Sequence, residues 1–122
     1  MSDFLALILA TATAATGNLL LKKAALQIGK LSFAKENLIT ELFKIFTNPQ
    51  ILLGLTFYVF GFLFWIKTLS GQDISKVYPI LVSATITIIL IGSSIFFKEQ
   101  LTFARILGIL VILVGIYIVF RT

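Results

Sequence analysis

From residue 4 to residue 21 the chain carries no charged side chain, and the same is true from residue 77 to residue 97. Two further apolar runs, 51–69 and 103–120, each hold one cation near an end, Lys67 and Arg105. A helix crossing a bilayer takes about 20 apolar residues. Four such runs in 122 residues therefore leave little besides loops. Charged residues make up only 12% of the chain, whereas soluble domains carry about 25%. A soluble enzyme, a nucleic-acid binder and a disordered tail are excluded. The expected fold class is an all-α membrane protein forming one domain over 1–122. Its four transmembrane helices span about 4–23, 50–69, 77–97 and 103–120, with an amphipathic segment at about 33–47 between the first two.

The chain contains no Cys and no His, so disulfides, thiolate metal sites, imidazole bases and haem ligation have no residues to work with. Without an acid inside a span, the usual acid–base and nucleophile pairs cannot be assembled either, and no enzyme activity and no cofactor are expected. The net charge of +5 reads as membrane-edge anchors and contacts to anionic lipid. No partner nucleic acid is expected.

Residues 36–46 change the pattern. At about 100° per residue, Leu38, Ile39, Leu42, Phe43, Ile45 and Phe46 share one helical face, and Glu36, Asn37, Thr40, Glu41 and Lys44 the other. Such a helix either lies on the membrane interface or packs on its own bundle. Asn48-Pro49 then marks a helix start, Asn as cap and Pro in the first turn. Trp65 and Lys67 mark the far interface of the second span. Ser70-Gly71-Gln72-Asp73 forms a turn, and Pro79 is expected in the first turn of the third span. The side holding the first and third loops carries seven Lys and Arg, Lys22, Lys23, Lys30, Lys35, Lys44, Lys98 and Arg105; Lys67, Lys76 and Arg121 lie on the other. The positive-inside rule then places both termini outside the cytoplasm, and insertion in both orientations stays open.

Several short motifs occur in order. Gly17-Asn18-Leu19-Leu20-Leu21-Lys22 ends the first span, Val77-Tyr78-Pro79 opens the third, Phe96-Phe97-Lys98-Glu99-Gln100-Leu101-Thr102 closes it, and Gly108 and Gly115 lie in the fourth. This order resembles the four-helix branch of the drug/metabolite transporter superfamily, which includes the small multidrug resistance proteins; EamA-type transporters are similar to a doubled version of the unit. The small multidrug resistance antiporters carry a glutamate where this chain has Ala14, and here Asp3, Glu36, Glu41, Asp73 and Glu99 all lie at span ends or in loops. The Tyr-Pro pair and the Gly-Asn-x-x-x-Lys pattern instead resemble the paired subunits that flip aminoarabinose-phosphoundecaprenol across the bacterial inner membrane. Asp73 and Lys76 depart from the apolar turn usual there.

The resemblance implies a multi-pass inner-membrane transporter or flippase for a polyprenyl-phosphate lipid, undecaprenyl phosphate or its sugar conjugate. A small multidrug-type exporter of hydrophobic cations and a non-transporting accessory subunit of a membrane enzyme are the alternatives. An anionic headgroup must be shielded from hydrocarbon, which a lysine with amide and hydroxyl donors can do. Lys22 and Asn18, one turn apart, are the candidate phosphate site, with Tyr78, Ser83 and Thr87 further along the route. Lys22 and Lys23 also suit plain interface anchors, and Ser and Thr hydroxyls often bond their own helix backbone. Glu99 with Arg105 is a candidate gate or membrane-edge ion pair. Gly108 and Gly115 share a face that admits close approach of another helix, by resemblance the contact of a homodimer or of a heterodimer with a related four-helix chain. Packing within the monomer is the other reading of these glycines.

Overall fold

Small residues decide how the helices meet. The computed structural model describes residues 2–121, and its helices are α1 (Asp3–Ile28), α2 (Leu38–Thr47), α3 (Pro49–Gly71), α4 (Ile74–Phe96) and α5 (Phe103–Arg121). No strand occurs among the described residues. α1, α3 and α4 are long and apolar enough to cross a membrane, while the apolar stretch of α5, Phe103–Val119, is shorter.

α1 packs chiefly on α3. Ala10, Gly17 and Ala24 recur every seven residues on α1, as do Gly54, Gly61 and Thr68 on α3, and all six are buried. The two stripes let the backbones approach closely, as expected where helix association relies on packing rather than on a hydrophobic drive. A Cβ at Gly17 would sit 3.1 Å from the Gly54 carbonyl oxygen, one at Gly54 3.3 Å from the Gly17 carbonyl oxygen, and one at Gly61 2.8 Å from Thr13 Oγ1. The buried hydroxyls of Thr11 and Thr68 donate to the carbonyls of Leu7 and Phe64 at 2.9 and 3.0 Å. Backbone acceptors thus satisfy donors that hydrocarbon would leave unpaired. α4 lies against α1 and α5, and Gly92 makes room there for Leu19.

Several boundaries differ from the sequence expectation. Lys22 and Lys23 do not end α1: the helix runs on through good formers, Ala24 to Gln27, and stops where Gly29 adopts φ 87° and donates its N–H to Ala25. The amphipathic helix begins at Leu38 rather than near residue 33, after a turn over 35–37. α4 starts at Ile74, so Pro79 lies in the second turn and removes the bond that would reach the Ser75 carbonyl. Asn48 caps as expected, its Oδ1 accepting from the N–H groups of Gln50 at 2.9 Å and Ile51 at 3.3 Å.

α2 turns its polar face toward the bundle. Glu41, on that face, is buried beside α3 and paired with Lys44 at 3.5 Å. Ile39 and Phe43 are instead 83% and 70% exposed. The apolar face therefore looks away from the protein, which excludes packing of that face on the chain's own bundle and suits an interfacial helix. A tryptophan placed at Phe43, in a Trp65→Phe background, is expected to be quenched by brominated acyl chains in vesicles; unquenched, water-like emission would contradict this placement.

Candidate functional site

Two ion pairs fasten the bundle at opposite ends. At one, Lys67 Nζ lies 2.8 Å from Asp3 Oδ1, and Gln72 Nε2 donates to Asp3 Oδ2 at 3.2 Å. The start of α1 is thereby held to the α3–α4 turn. At the other, Lys22 Nζ lies 3.6 Å from Glu99 Oε1, joining the last turns of α1 to the segment after α4. Lys98 makes that meeting possible: its φ of 51° ends α4 and turns the chain so that Glu99 comes back toward α1. The Lys22 and Glu99 side chains are 47% and 38% exposed, so the pair is weak and readily exchanged; exposed pairs contribute about 0–1 kcal/mol.

The same end holds an open groove of about 750 Å³. Thr16, Leu19, Leu20, Lys23, Leu26 and Gln27 of α1 line one wall, and Phe96 and Phe97 the other. Lys22 and Lys23 project about 100° apart around the helix. One therefore meets Glu99 and the other enters the groove. Among the described residues, Lys23 is the one charged residue lining it.

The expected site residues are not all brought together. Asn18 lies one turn before Lys22, yet its amide is already engaged: Tyr58 donates its hydroxyl to Asn18 Oδ1, and Asn18 Nδ2 donates to the Ala14 carbonyl at 3.0 Å. Tyr78 belongs to the opposite end, where its ring meets Trp65 with centroids 6.0 Å apart. Phe96 lies eighteen positions further along the helix, about 27 Å at 1.5 Å per residue. Ser83 and Thr87 lie between, but their hydroxyls donate to the carbonyls of Ile80 and Ser83 at 3.0 and 2.9 Å. In this arrangement they offer a headgroup acceptors rather than donors. Arg105 does not pair with Glu99; its guanidinium donates to the Gln100 carbonyl at 3.2 Å and steadies the loop before α5. The reason is the turn at Lys98, which directs Glu99 toward α1 and away from α5.

Sequence reading missed Tyr58 and the groove face of Lys23. Tyr58 was hidden in a Phe-rich run, and its partner is 40 residues away. In the sequence Lys23 reads as an interface anchor, because it lacks the one-turn spacing from Asn18 that singles out Lys22.

α5 packs on α4 and leaves much of its surface uncovered. Cβ atoms at Gly108 and Gly115 would meet nothing within 4 Å among the described residues, so close packing inside the monomer is not what these glycines serve. If Gly115 forms the contact of a dimer, Gly115→Leu leaves the monomer's stability unchanged and abolishes chemical crosslinking between copies; undiminished crosslinking of that variant would remove Gly115 from such a contact.

Comparison with known proteins gives partial matches. An uncharacterized protein, y4nH, of Sinorhizobium fredii is 32% identical over 76 residues, 62% of this chain and 65% of that protein. The probable 4-amino-4-deoxy-L-arabinose-phosphoundecaprenol flippase subunit ArnE of Aeromonas hydrophila is 40% identical over 55 residues, 45% of this chain and 47% of that protein. The chain thus spans less than two thirds of the length of either relative. No family model and no solved structure matches it. The apolar helices indicate an integral membrane protein, one similar in part to a probable flippase subunit.

Proposed function

We propose that the chain is a four-span subunit of a dimeric flippase or transporter of the bacterial inner membrane, moving a polyprenyl-phosphate lipid, undecaprenyl phosphate or its sugar conjugate. The observation that carries this reading is the charge layout. The long apolar helices hold no acid away from their ends, and the cations Lys22 and Lys23 lie side by side at one rim, where Glu99 pairs with Lys22 alone. That arrangement suits an anionic headgroup and offers a cation no counter-charge within the membrane. The partial similarity to the flippase subunit ArnE agrees with it.

α5, with 19 residues, is about 28 Å long, close to the roughly 30 Å hydrocarbon core, and serves as the fourth span. At the rim, substrate phosphate displaces Glu99 from Lys22 and so opens the gate that the pair closes. The displaced bond is weak, whereas a phosphate offers several charge-assisted bonds. Gly108 and Gly115 supply the contact with a second copy or with a related four-helix chain, about which the subunits rock. No cofactor takes part, and movement follows a gradient or consumption of substrate on one side.

The discriminating test adds tetraphenylphosphonium to purified, weakly buffered protein and follows proton release. The reading predicts no release, because no span holds a carboxylate away from its ends to deprotonate. Stoichiometric release would overturn it in favour of a hydrophobic-cation exporter.

A further inference from the structure

We propose that the groove between the last turns of α1 and the end of α4 is a docking site for one lipid phosphomonoester, with Lys23 holding the phosphate and Phe96, Phe97, Leu19, Leu20 and Leu26 lying along the tail. The proposal rests on the reading of the chain as a carrier of anionic lipid, and adds to it a receiving site distinct from the Lys22–Glu99 gate.

Charge complementarity selects the occupant. Of the two neighbouring lysines, Lys22 has a carboxylate partner at 3.6 Å. Lys23 has no ion pair and no side-chain hydrogen bond among the described residues. An ammonium that lines an apolar groove without a counter-charge favours an anion there, and a strongly hydrated point charge suits phosphate. Gln27 lies one turn beyond Lys23, and its amide, likewise without a described hydrogen bond, can donate to the same headgroup. The remaining lining is what a free phosphate ion would not need. Five of the eight residues are Leu or Phe, and Leu26 and Phe96 are 58% and 71% exposed. About 750 Å³ is ample for a headgroup and the first part of a chain, within the usual range of roughly 300–1,000 Å³ for ligand sites. The groove is open along its side, so a tail can remain in the bilayer while the head is held at the rim.

Because the chain lacks cysteine, a single Leu26→Cys bearing an environment-sensitive fluorophore reports on the groove alone. The labelled protein, in phosphatidylcholine nanodiscs, is titrated with undecaprenyl phosphate. A saturable response is expected, weakened about tenfold or more by Lys23→Ala, as loss of a charge-assisted contact predicts, and largely kept by Lys23→Arg. Lys30→Ala, which removes a charge outside the groove, should change it by less than about threefold. Undecaprenol, without the phosphate, should bind at least about tenfold more weakly. Inorganic phosphate should give no response.

Unchanged affinity in Lys23→Ala, equal binding of undecaprenol, or an equal response to inorganic phosphate would each overturn the proposal. So would a signal that follows protein concentration rather than lipid, which would assign the groove to a second copy. Groove binding without transport would refute the flippase reading and leave the site standing. Transport with a silent groove would do the reverse.

Discussion

Gly17→Leu is expected to cost the protein about 3 kcal/mol of stability, since overpacking a close contact typically costs about 1–3 kcal/mol and sometimes more. A Cβ alone at this position would lie 3.1 Å from the Gly54 carbonyl oxygen and 3.6 Å from Phe57 Cβ and Tyr58 Cδ2. The first of these is backbone and cannot turn aside. The rest of the leucine side chain must therefore part α1 from α3, the principal helix contact of the bundle. Separation also reaches the site, because the bond from Tyr58 to Asn18 spans the same two helices one residue away. Unfolding by SDS titration in mixed micelles measures the effect. Gly108→Leu, which meets nothing within 4 Å among the described residues, is the control expected to change little when both variants are unfolded as monomers. Equal stability of the Gly17 and Gly108 variants would contradict the packing described.

The second large effect is on transport. Lys22→Ala is expected to lower the rate of polyprenyl-phosphate translocation by about ten- to a hundredfold, the equivalent of one charge-assisted contact of about 1.5–3 kcal/mol. Glu99→Gln separates the gate from a simple anchor. Without the competing carboxylate, Lys22 is free for phosphate, so lipid-phosphate affinity rises by a few-fold while the rim closes less well. If Lys22 only anchored the helix end, Glu99→Gln would leave affinity unchanged and Lys22→Arg, Lys22→Ala and wild type would translocate alike.

How far these features could be read in advance depends on how local their causes are. The apolar helices were legible because a charge-free run near bilayer length has few other uses, and the Asn48-Pro49 start because cap and proline act within three residues. α1 runs on past Lys22 and Lys23 for a physical reason: lysine, an interface marker in a sequence, is also a good helix former. On α2 a helical wheel separates the two faces without saying which one turns inward, so the burial of Glu41 was not visible. Asn18 and Lys22 stand out in the sequence by their spacing, but the partners the structure gives them, Tyr58 and Glu99, lie on other elements. The positive φ at Lys98, which sends Glu99 to Lys22 instead of Arg105, falls on a residue type that gives no hint of it. The groove depends on the packing of α4 against α1, which brings Phe96 and Phe97 beside Lys23.

The central claim is that this chain moves a lipid phosphate across a bilayer, and it is tested most directly in proteoliposomes. Fluorescently tagged polyprenyl phosphate is placed in both leaflets, and dithionite, which does not cross the membrane, bleaches only what reaches the outside. The account predicts that wild-type protein, alone or with a related four-helix partner, lets bleaching proceed beyond the outer-leaflet fraction, that Lys22→Ala slows this phase, and that a zwitterionic phospholipid bearing the same tag is not moved. Bleaching that stops at the outer-leaflet fraction with both subunit arrangements would contradict it and leave the chain as a non-transporting accessory subunit.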